Sequence, residues 1–349
     1  MKKFEENCFD LLRLIAALIV MFSHSFRWFD YAKPRWMVFF TDGSVGVMIF
    51  FAISGYLIMA SYDRCIQSRR SIKEYFINRF FRIYPALIIS FIVLSLGNIF
   101  FLHIDIFHKD YVFYFIKEFI RPSGGAYNGG LSNGVLWTLK VELIFYILVP
   151  LIYKFTRNFN IGKWCLLILL LWQFNLWDKK ILELVSNSIF LGKFIDSGNI
   201  LFFVYELLIG CFIYQYREEL LPLLSKKTTV VIYGAIFTIW YCIYNYANLI
   251  PKFGVMHNAL FGILVPPLVL GIGYSAGKIR FHYDISYGIY IYHMIVINIL
   301  LASNAAHIFA MPTAWFLTIT CAVLSCLFIE RPALNFKNII VMKLIREKQ

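Results

Sequence analysis

The chain has 349 residues, of which 60% are hydrophobic and 15% are charged, and its net charge is +13. An average soluble domain is about half apolar and a quarter charged, which excludes an ordinary water-soluble enzyme. The apolar residues form runs of about 17–20, the length that crosses the hydrocarbon of a bilayer as a helix. The composition therefore predicts an all-α, polytopic integral membrane bundle.

About ten transmembrane helices are predicted. They lie near residues 9–27, 44–61, 83–103, 134–153, 161–177, 199–216, 229–246, 259–276, 285–301 and 312–329. The first run is interpreted as a retained span, because Arg13 interrupts it and no small-x-small cleavage site follows. The fifth is short and rich in tryptophan, and a partly re-entrant course is its alternative. The whole chain, residues 1–349, is predicted to be a single transmembrane domain.

Ten spans place both termini on one side of the membrane. Roughly two thirds of the 33 lysine and arginine residues fall on that side, so both termini are predicted to be cytoplasmic. The basic charge is then a topology signal, and no nucleic-acid partner is predicted. The seven cysteines are scattered without a CxxC pair, so neither a disulfide framework nor a metal site is predicted.

Ionisable groups inside predicted spans are costly and therefore mark candidate functional positions. They are Arg13, His24, Lys140, Glu142, Glu206 and His293. Arg13 and His24 are eleven residues apart, so steps of about 100° place them on one helix face, about 16 Å apart along the axis. This predicts that Arg13 places a cation near the cytoplasmic face and that His24 places a titratable base in the external third of the span. A snorkelling arginine and a packed histidine are the alternative.

Glu142 is predicted at a depth similar to that of His24, where a carboxylate can orient an imidazole. Structural pairing of Glu142 with Lys140 or with a tyrosine hydroxyl is the alternative. Lys140 lies nearer the external surface, and a structural role by snorkelling is predicted for it. Glu206, in the external half of another predicted span, is a weaker candidate for a functional role.

Three further features complete the candidate site. Arg79 and Arg82 are three residues apart on one helical face at the predicted cytoplasmic surface, where paired guanidinium groups suit phosphate. Anchoring to anionic lipid is their alternative. Trp137 and Tyr127 lie near the predicted external mouth, where aromatic side chains commonly anchor a helix at the membrane interface. His293 shares a helical stripe with two other polar residues, which fits either a pore lining or a packed polar seam.

Six stretches carry a family resemblance from one end of the chain to the other. They are FDLLRLIAALIVMFSH, FFAISGYLI, NRFFRIYP, LWTLKVELIFYILVP, SYGIYIYH and IERP. Because these stretches occur in this order along the chain, the chain resembles the membrane acyltransferase-3 family. That family includes bacterial O-antigen and exopolysaccharide O-acetyltransferases. An additional extracytoplasmic esterase-like domain, present in some members, is not expected here.

The resemblance implies a multi-pass enzyme of the bacterial cytoplasmic (inner) membrane. It implies transfer of an acyl group, expected to be acetyl, from cytoplasmic acyl-coenzyme A to a hydroxyl of a polysaccharide or lipid-linked sugar, such as the O-antigen of lipopolysaccharide. Arg13, Arg79 and Arg82 would bind the donor, His24 and Glu142 would be catalytic, and Trp137, Tyr127 and His293 would contact the acceptor. The alternatives are a transporter or flippase, and a non-catalytic scaffold or sensor.

Overall fold

The computed structural model describes residues 6–176, 203–246, 259–303 and 309–346. Over these ranges the secondary structure is helical and contains no strand. The helices are α1 Phe9–Trp28, α2 Gly43–Gln67, α3 Ile72–Leu102, α4 Lys109–Ile120, α5 Leu136–Thr156, α6 Ile161–Leu176, α7 Val204–Gln215, α8 Arg217–Leu224, α9 Lys227–Tyr246, α10 Ala259–Ser275, α11 Ser286–Ala302, α12 Ala310–Ser325 and α13 Arg331–Arg346. A short π-helical segment, Cys326–Glu330, joins α12 to α13.

Six of the described helices are long and apolar enough to cross a membrane. They are Phe9–Trp28, Gly43–Gln67, Ile72–Leu102, Leu136–Thr156, Lys227–Tyr244 and Ala310–Met342. Four shorter apolar helices coincide with the other predicted spans, namely Ile161–Phe174, Val204–Gln215, Leu260–Ser275 and Ser286–Ala302. The all-α, polytopic membrane fold is thus confirmed, whereas the count of ten crossings and the side of the termini stay predictions. Residue 177 of the fifth predicted span and residues 199–202 of the sixth lie outside the described residues.

The apolar surface of these helices fits a lipid solvent. On α9, Val231, Ile232 and Ile239 have exposed fractions of 69%, 61% and 60%. A soluble monomer rarely exposes such contiguous apolar surface, because water makes it unfavourable. In a bilayer the same side chains contact lipid tails.

The described residues form two compact units. The first comprises Met1–Arg13, Ser44–Arg64 and Val141–Phe281, and the second comprises Leu14–Gly43, Cys65–Lys140 and His282–Gln349. Each unit contributes separate candidate residues.

In the first unit, α2 and α7 approach through two glycines. A Cβ added at Gly55 would lie 2.1 Å from the carbonyl oxygen of Leu207, and one added at Gly210 would lie 2.6 Å from the amide nitrogen of Tyr56. Helices in lipid associate by close backbone packing rather than by the hydrophobic effect, so small residues at the contact are favoured. The Ser-Gly-Tyr sequence of α2 is therefore held directly against α7.

In the second unit, polar side chains order the loop between α4 and α5. The carboxylate of Glu118, 1% exposed, accepts hydrogen bonds from the backbone amides of Ser123 and Gly124 at 2.7 and 2.8 Å. Gly124 has a φ of +76°, and a Cβ there would lie 2.1 Å from the carbonyl oxygen of Asn133, so only glycine fits. The glycine-rich stretch after α4 is therefore a defined structure built around a buried carboxylate.

The α4 helix also contributes an aromatic cluster to this loop. Tyr127 packs its ring against Tyr111 and Tyr114, with centroids 5.1 and 5.6 Å apart. Burial, and after it the charge of Glu118, raises the pKa of the Tyr114 hydroxyl. That hydroxyl therefore stays protonated, and it donates to the carbonyl oxygen of Gly125 at 2.7 Å.

Candidate active site

Helix α1 contains both residues of the predicted Arg13–His24 pattern, which confirms that the stretch is helical. In the first unit, Nη2 of Arg13 lies 2.6 Å from Oδ1 of Asp10, one turn earlier, and its side chain is 14% exposed. In the second unit, His24 is partly exposed. Arg13 is thus held by an intrahelical carboxylate, which fixes its guanidinium group near the start of α1.

His24 is hydrogen-bonded to His293, which lies 269 positions later in the chain. Nδ1 of His24 is 2.8 Å from Nε2 of His293. The ring centroids are 5.1 Å apart and the ring planes differ by 12°, so the two imidazoles lie edge to edge and nearly coplanar, with these nitrogens between them. His293 is 0% exposed. The pair thus joins a buried imidazole to a partly exposed one.

The tautomers of the pair follow from the carbonyl group at its buried end. Nδ1 of His293 lies 3.0 Å from the carbonyl oxygen of Ile289. A carbonyl oxygen only accepts, so this nitrogen carries a proton and donates it. In neutral His293, Nε2 is then an acceptor, and Nδ1–H of His24 donates to it. Nε2 of His24 is left with a lone pair and no proton, the state that a general base or a nucleophile needs.

His293 was predicted to contact the acceptor. Both of its ring nitrogens have protein partners and its side chain is buried. This favours a positioning role toward His24, while its predicted contact with substrate stays a prediction. The hydrogen bond between the two histidines was not predictable from the sequence, because nothing in the local pattern of α1 or α11 specifies which helices pack together.

Glu142 is held by two hydroxyl groups of the first unit. Ser54 Oγ donates to Oε1 of Glu142 at 3.2 Å, and the Tyr146 hydroxyl donates to the same oxygen at 2.5 Å. Tyr146 lies one helical turn after Glu142, a spacing that the sequence displays, whereas Ser54 comes from α2. Glu142 was predicted to orient His24. The ring partner that the structure gives to His24 is His293, and a catalytic role for Glu142 stays a prediction.

The snorkelling role predicted for Lys140 is wrong, because its side chain is 3% exposed. Trp137, one turn earlier, is partly exposed, as is Tyr127. Glu206, near the start of α7 in the first unit, is 0% exposed. The structure thus leaves Trp137 and Tyr127 accessible in part, and it buries Lys140 and Glu206.

Arg79 and Arg82 lie on α3 in the second unit, within one helical turn as predicted. The Arg79 guanidinium carbon is 5.9 Å from the ring centroid of Tyr75, and Arg82 is exposed. Helix α3 begins at a cap in which Ser71 Oγ accepts from the backbone amide of Lys73. Arg79 is half-buried, with its Nε enclosed by protein, and the role predicted for both arginines in phosphate binding stays a prediction.

The first unit contains a cavity of about 650 Å³ at the start of α1. Among the residues that line it are Arg13, Arg64, Arg217, Arg280, Tyr56 and Tyr274. Ligand pockets commonly enclose about 300–1,000 Å³, so this cavity can hold a ligand the size of a nucleotide. Of the three arginines predicted to bind the donor, Arg13 lines it, whereas Arg79 and Arg82 belong to the second unit.

Comparisons with known proteins identify the family. The family model described as acyltransferase domain matches residues 6–331. Nodulation protein 10 of Rhizobium leguminosarum bv. viciae is 28% identical over 97% of this chain and 95% of its own length. The O-acetyl transferase of Shigella phage Sf6 is 28% identical over 85% of this chain and 87% of its own.

A third relative, the peptidoglycan O-acetyltransferase OatA of Listeria monocytogenes, is 26% identical over 83% of this chain and 49% of its own. No solved structure matches the chain significantly. The family model covers nearly all of the chain, including every candidate residue described above. The chain therefore belongs to the acyltransferase-3 family and is a multi-pass membrane O-acyltransferase.

Proposed function

We propose that this enzyme transfers an acyl group, acetyl in the first instance, from acyl-coenzyme A to a sugar hydroxyl of a surface polysaccharide or O-antigen. The observation that carries the proposal is the Ile289–His293–His24 chain of hydrogen bonds, from which we infer that Nε2 of His24 is unprotonated. Support for acetyl transfer to oxygen comes from a relative named as an O-acetyl transferase, and support for a sugar-bearing acceptor comes from one named as a peptidoglycan O-acetyltransferase.

In the proposed reaction, Nε2 of His24 takes the proton of the acceptor hydroxyl while the hydroxyl oxygen attacks the thioester carbonyl carbon. The tetrahedral intermediate collapses, the carbon–sulfur bond breaks, and the leaving thiolate takes the proton from His24. The products are the O-acyl sugar and free coenzyme A. His293 accepts from Nδ1–H throughout and stabilises the transient imidazolium.

A variant of this mechanism uses His24 as the nucleophile. The same Nε2 lone pair can attack the thioester carbon, which breaks the carbon–sulfur bond and gives an acyl-imidazolium, with Nδ1–H retained, and a thiolate. The sugar hydroxyl oxygen then attacks the acyl carbon, the hydroxyl proton passes to the thiolate, and the neutral imidazole is released. Both routes need Nε2 unprotonated, so the hydrogen bonds described above serve either one.

The remaining candidate residues receive roles by the same proposal. Arg13, Arg79 and Arg82 bind phosphates of the donor, and Glu142, held by Ser54 and Tyr146, is the second catalytic group. Trp137 and Tyr127 contact the sugar. The enzyme is placed in the bacterial inner membrane with both termini in the cytoplasm, where coenzyme A is available.

The test is an acetylation assay on purified protein with radiolabelled acetyl-coenzyme A and isolated surface polysaccharide. His24→Ala is expected to lower the rate by about 10²–10⁴-fold, the usual contribution of a general base. His282→Ala removes an exposed imidazole and is the matched control. Wild-type activity in His24→Ala, at normal expression, would remove His24 from the mechanism.

The acceptor is tested separately in cells. Mass spectrometry and NMR of surface polysaccharide, with and without the gene, are expected to differ by O-acetyl groups at a defined sugar position. An unchanged acylation pattern would contradict the polysaccharide acceptor. Failure of the purified protein to bind acyl-coenzyme A, together with solute movement into vesicles, would favour a transporter instead.

A further inference from the structure

The cavity of the first unit collects positive charge from four separate parts of the chain. Arg13 comes from α1, Arg64 from α2, Arg217 from the start of α8, and Arg280 from the segment after α10. In the sequence each of the last three is one basic residue among many in the predicted cytoplasmic loops. Their convergence on one concave surface is a property of the fold.

Backbone contacts explain how the start of α1 reaches this cavity. The amide of Cys8 donates to the carbonyl oxygen of Gly273, and the amide of Ile279 donates to the carbonyl oxygen of Asn7, at 2.9 and 3.2 Å. These bonds attach the residues before α1 to the end of α10 and to the segment that carries Arg280. Arg13 and Arg280 therefore face the same space from two anchored segments.

Aromatic side chains form another wall of the cavity. The Tyr274 hydroxyl donates to that of Tyr56 at 3.0 Å, and the ring of Tyr56 meets that of Tyr214 edge to face at 5.4 Å. Arg217 lies over the Tyr214 ring, 4.4 Å from its centroid, and donates to the Tyr214 carbonyl oxygen at 3.0 Å. Stacking of this kind restrains the guanidinium group and presents its N–H donors in a fixed direction.

The charge balance of the cavity favours an anion. Its lining holds four arginines against two carboxylates, Asp10 and Glu218. Asp10 is bonded to Arg13, and the Glu218 side chain is 67% exposed, 3.8 Å from Arg217. Clustered guanidinium groups bind phosphates through paired, charge-assisted hydrogen bonds. A ligand that carries several phosphates matches this arrangement better than a single carboxylate.

We propose that this cavity, through Arg64, Arg217 and Arg280 together with Arg13, binds the phosphate-bearing nucleotide end of the acyl donor. The inference rests on the proposed function, since it assumes that the donor is acyl-coenzyme A. It adds three binding residues that sequence patterns did not single out.

Clustered phosphates have two sources in a membrane, a soluble nucleotide and the headgroup of an anionic lipid. The test therefore measures coenzyme A binding by calorimetry, first on protein in nanodiscs of zwitterionic lipid. The measurement is then repeated on protein in nanodiscs of anionic lipid. Wild-type protein is expected to bind coenzyme A and adenosine 3′,5′-bisphosphate, and to bind pantetheine, which lacks the phosphates, at least tenfold more weakly.

Substitutions of single arginines test which residues of the cavity bind coenzyme A. Arg217→Gln and Arg280→Gln are each expected to weaken coenzyme A binding about tenfold or more, and to leave pantetheine binding unchanged. Arg217→Lys keeps the charge but loses the planar donor fork, so it should weaken binding less than the glutamine variant. Arg157→Gln removes an exposed arginine from the loop after α5 and is the matched control.

A second measurement needs no variant. Wild-type protein is treated with phenylglyoxal, which modifies arginine, and the modified positions are mapped by mass spectrometry. Coenzyme A is expected to protect Arg64, Arg217 and Arg280 and to leave Arg157 reactive. Protection by anionic lipid alone would overturn the assignment to the donor.

The outcomes separate this inference from the proposed function. If wild-type protein binds no coenzyme A and acylates nothing from it, the proposed donor is wrong, and the inference falls with it. If wild-type protein binds coenzyme A while Arg217→Gln, Arg280→Gln and the protection pattern show no effect, the donor stands and the cavity assignment alone is overturned.

Discussion

Replacement of His293 tests whether a neutral imidazole positions the catalytic one. In His293→Phe an apolar ring of similar size takes the place of the imidazole, so Nδ1–H of His24 loses its acceptor. The two neutral tautomers of His24 are then no longer biased toward the one with Nε2 unprotonated. The transient imidazolium also loses the hydrogen bond that His293 accepts.

The size of the effect follows from that hydrogen bond. A hydrogen bond to a charged group is worth about 1.5–3 kcal/mol. At about 1.4 kcal/mol for each factor of ten in rate, its loss should lower kcat roughly tenfold to 150-fold. KM should change little, because the bond strengthens only when His24 becomes charged. In His293→Gln the side-chain oxygen can accept from Nδ1–H, so this variant should recover part of the lost rate.

The assay is steady-state acetyl transfer by protein that elutes as wild type on size exclusion. Tyr292→Phe, next to His293 on α11, removes a hydroxyl that donates to Ser325 at 3.0 Å and serves as the control for packing. Nitrogen-15 shifts of labelled histidine should show Nε2 of His24 unprotonated in wild type and partly protonated in His293→Phe. Equal kcat in wild type, His293→Phe and His293→Gln would refute the positioning role.

Two further predictions concern the first unit. Glu142→Gln keeps the size of the side chain but removes the charge that Ser54 and Tyr146 stabilise, so acetyl transfer should fall about tenfold or more at unchanged expression; wild-type kcat in this variant would exclude a catalytic carboxylate. Gly55→Ala places a Cβ 2.1 Å from the Leu207 carbonyl oxygen, so it should destabilise the fold by about 1–3 kcal/mol in thermal unfolding. Gly234→Ala, whose nearest atom would be 4.0 Å away, should be neutral or slightly stabilising, and equal unfolding temperatures for both alanine variants would contradict the α2–α7 contact.

The location of the apolar helices was predictable from the sequence. Lipid cannot satisfy backbone polar groups, so each crossing must be a helix built from a continuous apolar run, and such a run is a local property. The pattern of Arg13 and His24 on α1 and the turn from Arg79 to Arg82 on α3 are also local, because they depend only on helical periodicity. The same reasoning ranked His24 as a functional candidate, since a titratable group in an apolar helix is costly.

The partners of these residues required the tertiary structure. His24 and His293 are 269 positions apart, and helical periodicity does not determine which helix packs against which. The snorkelling predicted for Lys140 was wrong for the same reason, because a long side chain can reach the surface only where neighbouring helices leave a path, and this side chain is 3% exposed. Likewise Arg64, Arg217 and Arg280 counted in the sequence only among the basic residues that set topology, and only the tertiary structure places them around one cavity.

The sequence by itself therefore determined which segments are helices of a membrane bundle and which side chains are chemically unusual there. Only the tertiary structure decided that His24 is paired with the imidazole of His293 and that four separated arginines share one cavity. The physical reason is that hydropathy and periodicity act along the chain, whereas hydrogen bonding and charge clustering act across helix contacts that close packing selects.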